Sequence, residues 1–249
     1  MKFRNFVEDY INSKPFFALS PHPWIILFDI DGTLLSVNGS YNRTHLRRIL
    51  DELGIDYPDM ENDSFSGRTD HDIFTSFLVN HDFDEELYQQ YKSLYLDYLQ
   101  NVLLKKKEMV TRLPHIDEAL EYFFDGDFIC GLLTGNYPQA AQIKLQAADI
   151  KRDFSFGAFG ELEKDRNKLP RIAMDQFHKL YDTKPDPSRF IILGDTPRDV
   201  ECANKAGMKC VAVTTGNYSR DELSEHRPDL IIDNLANPDQ WFGKVAAAD

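Results

Sequence analysis

The sequence predicts an α/β protein: a parallel sheet covered by helices on both faces, interrupted after its first strand by an all-helical block. Three observations predict it. From Ile116 onward, short continuous apolar runs alternate with segments of helical period, the pattern of strands buried on both faces. Between Tyr41 and Lys107 apolar residues recur only at helical spacing. Polar, chemistry-bearing residues stand directly behind several apolar runs, where such sheets bind ligands beyond the carboxyl ends of their strands.

The first 24 residues mix Lys2, Arg4, Glu8, Asp9 and Lys14 with aromatics, without the continuous apolar core of a signal peptide, and predict a short added helix. Trp24–Phe28 is the first strand. Leu46, Ile49, Leu50 and Leu53 mark a helix that Gly54 ends, since glycine takes the left-handed conformation past a helix terminus without steric cost. Ile73, Phe74, Phe77 and Leu78 mark a second. A third carries Leu87, Tyr91, Leu94, Tyr95, Tyr98 and Val102 behind Asp84-Glu85-Glu86, an acidic first turn that complements the helix dipole. Because this block enters directly behind the first strand, it is placed to roof the crevice there. A helix over Ile116–Phe124, a turn at Asp125-Gly126 and a strand over Phe128–Leu133 come next. The helix Pro138–Ala148 follows, then a short apolar stretch at Phe156–Phe159 and the helix Pro170–Leu180. Strand Phe190–Leu193, helix Pro197–Ala206 and strands Lys209–Val213 and Leu230–Ile232 complete the pattern.

The 249 residues suffice for one large domain or for a core carrying a smaller insert. A net charge of −13 argues against a broad nucleic-acid surface, but not against a small phosphate ester held locally by a metal, backbone amides and one or two cations. No apolar run approaches membrane-spanning length. Cys130, Cys202 and Cys210 lie in apolar or small-residue stretches without metal-ligand spacing, so they read as buried, reduced thiols. A cytoplasmic protein with no membrane partner is the expectation.

If the sheet is parallel, the residues just past each strand share one rim. That rim collects Asp29 and Asp31, then Thr134-Gly135-Asn136, then Asp195 with Asp199 nearby. Each has an ordinary explanation by itself: loop polarity for the acids, a strand-end hydroxyl for Thr134. Asp199 fits a helix start in which Thr196 is the N-cap, Pro197 the first residue and an acid the third. The conjunction of three strand ends is what argues for chemistry.

These residues carry a resemblance. "FDIDGTLL", "LLTGN" and "ILGDTPRDV" resemble the first, second and fourth motifs of the haloacid dehalogenase-like hydrolase superfamily, in its phosphatase branch, over about Trp24 to Leu235. "SGRTD", Ser66 to Asp70, further resembles the cap of phosphoglycolate-phosphatase-like members. The resemblance implies a Rossmann-like core over 1–36 and 111–249 with a helical cap over 37–110. It also implies a Mg²⁺-dependent phosphatase of a small phosphorylated metabolite, phosphoglycolate leading.

Phosphoryl transfer needs an in-line nucleophile, neutralised charge on the transferring oxygens and a proton for the leaving group. Asp29 is the expected nucleophile and Asp31 the general acid and base, as the resemblance also implies. Mg²⁺ suits an all-oxygen site made by the Asp29 and Asp195 side chains and the Asp31 carbonyl, with Asp199 behind them. Gly32 lets the chain turn away from the strand, and Thr33 braces that turn. Thr134, with backbone N–H groups around Gly135 and Asn136, is expected to bind the phosphoryl group. The third motif departs from the family pattern: "EKDRNKLPRIA" lacks the usual Lys-Pro. Arg166 falls best at the expected position, with Lys168 close and Lys164 a weaker third. In the cap, Arg68, beside Gly67, is the candidate for reaching the substrate and Thr69 a second substrate-binding candidate, while His71 reads as a helix-surface residue. A β-phosphoglucomutase-like phosphotransferase, a nucleotidase or pyrophosphatase, and a non-catalytic phospho-acceptor remain alternatives.

Overall fold

The computed structural model describes residues 23–57, 60, 64–78, 83–161 and 163–247. The short helix expected at the N-terminus falls on residues outside this set. Six strands form one parallel sheet: β1 (Trp24–Phe28), β4 (Phe128–Thr134), β5 (Gly157–Phe159), β6 (Phe190–Gly194), β7 (Lys209–Val213) and β8 (Leu230–Ile232). Their spatial order is β5-β4-β1-β6-β7-β8, every neighbouring pair parallel. The chain therefore winds outward from β1 in one direction through β4 and β5, then returns to wind the other way. A crevice opens at such a reversal, at the carboxyl end of β1.

Alternation along each strand feeds two apolar layers. Ile26, Phe28, Leu132, Ile191 and Val211 face the layer made by α4 (Ile116–Asp125), α5 (Pro138–Ala147) and α9 (Pro238–Ala246). Ile25, Leu27, Leu133, Ile192 and Ala212 face α6 (Leu169–Tyr181), α7 (Pro197–Ala206) and α8 (Arg220–Glu225). Burial on both faces is why these strands read as unbroken apolar runs. All three cysteines are buried in these layers, and burial pushes the Cys130 and Cys202 thiols up to about 12.

The helices α1 (Gly39–Glu52), α2 (Asp70–Phe77) and α3 (Glu85–Tyr98) follow one another between two short strands, β2 (Leu35–Val37) and β3 (Val110–Arg112). Those strands pair antiparallel, Ser36 opposite Thr111, so the outgoing and returning chain are tied side by side. At three residues each they carry too little alternation to be legible in the sequence. Phe74, Phe77, Tyr88, Tyr91 and Tyr95 from α2 and α3 join the same buried cluster as the α4–α5 face, packing the helical block directly against the core.

Candidate active site

Register sets the rim. Phe28 lies opposite Leu132 on one side and Leu193 on the other, so position 30 is level with both Thr134 and Asp195. The Asp29 amide donates to the Leu193 carbonyl at 2.9 Å, holding this residue on the strand. The chain then coils tightly: the amides of Leu34 and Leu35 both donate to the Ile30 carbonyl, at 2.9 and 3.0 Å. Gly32 makes this turn at φ +84°, and a Cβ there would lie 2.2 Å from Asp195 Oδ2. Only glycine meets both demands.

Asp29, Asp195 and Asp199 bring one carboxylate oxygen each within 4.8 Å of one another, all three buried. Burial pushes the Asp29 carboxyl up to about 7; the Arg166 guanidinium opposes that shift, while Asp199 and Asp31 add to it. Burial raises Asp195 well above the usual carboxylate range, with Asp199 and Asp29 adding to it. Three buried carboxylates beside one arginine leave negative charge that favours a further cation. The donors are oxygen only, and a Cβ on Gly216 would sit 1.7 Å from Asp195 Oδ2, so glycine backbone cradles that carboxylate. This all-oxygen donor set is of the kind that could hold a hard divalent cation such as Mg²⁺. Asp199 is differently occupied. Its oxygens accept from the Thr196 amide at 3.0 Å, the Thr196 hydroxyl at 2.6 Å and Arg166 at 2.5 Å, so it caps α7 and holds the arginine.

The structure separates the candidate cations. Arg166 opens the 3₁₀ turn Arg166–Lys168, with Asp165 as its N-cap. Its side chain is 5% exposed and lies 3.2 Å from Asp29 Oδ1. It also donates to the Gly67 carbonyl at 3.2 Å, linking the insert to the core. Lys168, two residues on, is 62% exposed and paired with Glu163 at 3.0 Å, away from the carboxylates. A turn of this pitch points residues two apart in different directions.

Thr33 is buried and donates to Asp195 Oδ1 at 3.4 Å. Thr134 is fully buried, its hydroxyl accepting from the Asn136 side-chain Nδ2 at 2.8 Å. Asn136 also donates to Asp31 Oδ2 at 2.8 Å. A residue missed by sequence reasoning completes this group. Lys144, on α5, donates to Asp31 Oδ2 at 2.7 Å and to Asn136 Oδ1 at 2.6 Å. A signal was there: Lys144 follows Ala140 and Ala141 at helical spacing on the face that buries Leu145. A lysine on a buried face needs a partner.

In the insert, Arg68 is bound to Asp72 at 2.6 Å and lines the cavity above the carboxylates. Gly135 passes so close to the Arg68 backbone that a Cβ would lie 2.0 Å from its carbonyl oxygen. Thr69 differs from the expectation of substrate contact. Its hydroxyl is fully buried, accepts from the Asp72 amide as N-cap of α2, and donates to the Lys164 carbonyl at 3.0 Å. His71 likewise departs from a surface role, its ring stacked on Tyr88 at 5.0 Å. The cavity itself, about 680 Å³, is bounded below by Asp29, Asp31, Thr134, Arg166 and Asp195 and above by residues of α1, α2 and α3.

Residues 26–213 match the family described as haloacid dehalogenase-like hydrolase. The chain belongs to that family. Pyrophosphatase PpaX of Bacillus cereus is 24% identical over 213 residues, covering 85% of this chain and 93% of that protein. A 5′-nucleotidase of Pseudomonas aeruginosa is 26% identical over 218 residues, covering 85% and 91%. The crystal structure of a predicted phosphoglycolate phosphatase from Haemophilus somnus superimposes with a TM-score of 0.67 at 20% identity, over 89% of this chain and 98% of that one. At this identity the likeness establishes a shared α/β fold. Among the described residues of this haloacid dehalogenase-like hydrolase, no helix is long and apolar enough to cross a membrane.

Proposed function

We propose that this hydrolase is a Mg²⁺-dependent phosphatase of small phosphorylated metabolites, working through an aspartyl-phosphate on Asp29. The observation that carries the reading is the position of Asp29: buried at the winding reversal, 3.2 Å from Arg166 and open to the cavity. Asp29, Asp195 and the Asp31 carbonyl would hold Mg²⁺, which would supply the charge neutralisation that lets a carboxylate approach a phosphate dianion. Arg166 adds a fixed positive charge between nucleophile and substrate. An oxygen of Asp29 attacks phosphorus in line, and the bond to the leaving oxygen breaks. Asp31, facing the other way, gives its proton to that oxygen. Ionised, Asp31 then takes a proton from water as the water oxygen attacks phosphorus and the bond to Asp29 breaks, releasing phosphate. Asn136 and Lys144 orient Asp31 for both steps, and Thr134 and the amides of Gly135 and Asn136 receive the phosphoryl oxygens.

Residues 37–110 serve as the cap over this reaction, with 1–36 and 111–249 as the core. The relatives' names span pyrophosphate, phosphoglycolate and nucleotides, so they support phosphate-ester hydrolysis more firmly than any one substrate; phosphoglycolate belongs to the class. The test is a panel of phosphate esters, p-nitrophenyl phosphate included, assayed with Mg²⁺ and with excess chelator. Turnover is expected with Mg²⁺, lost in chelator and in Asp29→Asn; full activity in either case refutes the reading.

A further inference from the structure

The upper wall of the cavity holds polar groups that the hydrolytic steps do not use. Asp70, the first residue of α2, lines the cavity. Its Oδ2 accepts the Tyr137 amide at 2.7 Å, and its own amide donates to the Gly135 carbonyl at 2.7 Å. The carboxylate is thus locked onto the loop that carries Thr134 and Asn136. Its other oxygen has no hydrogen-bond partner among the described residues. Tyr91 and Tyr95, one turn apart on α3, line the same cavity while only 2% and 5% exposed. Their rings stack nearly parallel, at 10°, and neither phenol oxygen has a hydrogen-bond partner among the described residues.

These phenols belong with Asp70. Burial raises both well above the usual tyrosine range, and the charge of Asp70 adds to the shift in each; Asp31 adds to it for Tyr95. They therefore stay protonated, as donors within the field of Asp70. A carboxylate that only accepts, beside phenols that donate and accept, matches a row of alcohol hydroxyls. A carboxylated leaving group would bring another anion against Asp70, whose Oδ2 is already held by the Tyr137 amide. A cationic one would meet the Lys144 ammonium, held 2.7 Å from Asp31. A cavity of about 680 Å³ also exceeds what a two-carbon ester fills.

We propose that Asp70, Tyr91 and Tyr95 form a subsite that reads hydroxyl groups, so that the substrate is the phosphate ester of a neutral polyhydroxylated alcohol, a sugar or polyol. The inference rests on the phosphatase reading for its chemistry but not for its binding. A site built to hydrogen-bond hydroxyls rejects analogues lacking them, because its own buried polar groups are then left unpaired.

The experiment has two arms. In the first, the Asp29→Asn protein with Mg²⁺ is titrated calorimetrically with ribose 5-phosphate, glucose 6-phosphate, phosphoglycolate and phosphoethanolamine. One of the sugar phosphates is expected to bind at least about tenfold more tightly than either charged ester. In the second, wild type and Tyr91→Phe/Tyr95→Phe are compared by the ratio of kcat/KM for that sugar phosphate to kcat/KM for p-nitrophenyl phosphate. The double variant, which keeps both ring shapes, is expected to lower the ratio at least about tenfold. Equal or tighter binding of phosphoglycolate or phosphoethanolamine overturns the proposal, and so does an unchanged ratio. Absence of turnover on every ester would instead count against the phosphatase reading, and the calorimetric arm would still decide the subsite.

Discussion

Replacing Arg166 by methionine removes the positive charge from the buried carboxylate group while keeping most of the side-chain volume. Arg166 is 5% exposed, as is Asp29, and its second partner Asp199 is fully buried. Breaking a buried ion pair by deleting one member costs about 3–5 kcal/mol, because the remaining charge is left uncompensated. At roughly 2–4 °C per kcal/mol for a chain of this size, Tm should fall by about 6–20 °C in chelator at pH 8. The pH dependence gives the sharper signature. Asp29 has a folded-state value raised from 3.8 to about 7 even with the arginine opposing the shift. Removing that opposition raises it further. Between the unfolded and folded values the native state holds a proton that the unfolded chain lacks, so stability falls as pH rises through this window. The variant's deficit should therefore be larger at pH 8 and shrink as pH falls to about 7, below which Asp29 holds its proton in both folded proteins. Thermal unfolding of both proteins at pH 8 and pH 5, in chelator, measures it. An unchanged Tm at pH 8, or an equal deficit at both pH values, refutes the argument that Arg166 acts by compensating buried charge.

Two further substitutions probe the same region. Gly216→Ala places a methyl group on Asp195 Oδ2 and should weaken Mg²⁺ binding about 10–100-fold, read from the Mg²⁺ concentration that raises Tm; an unaltered midpoint would count against Asp195 as a ligand. Lys168→Ala removes only an exposed pair with Glu163 and should change stability by no more than about 0.5 kcal/mol, with turnover preserved. A large loss of turnover there would return Lys168 to the site.

Much of the rim was legible because burial and chirality leave a parallel strand few options. An apolar run such as Ile25–Phe28 must be covered on both faces, so the first polar residue after it, Asp29, marks the strand's end. The same logic located Thr134 and Asp195. Counting favoured Arg166 over Lys168 only narrowly, since both precede α6; the direction of a short 3₁₀ turn sets Arg166 beside Asp29 and Lys168 at the surface. For Thr69 sequence reasoning gave no sign of what the structure shows, a hydroxyl engaged in capping α2 and in bonding the Lys164 carbonyl. β2 and β3 escaped notice because three residues cannot display a period.

The amino-acid order by itself determined the parallel α/β core, the helical insert and the identity of the strand-end acids, because these follow from local period and from which residues tolerate burial. It could not determine which distant groups those acids would meet. Lys144 reaches Asp31 across 113 positions, and Arg166 reaches Asp199 across 33. Asp70, Tyr91 and Tyr95 line one cavity with Asp31 only because the insert folds back over the rim. Such meetings depend on the packing of whole elements, and packing is a property of the assembled chain that no local pattern records.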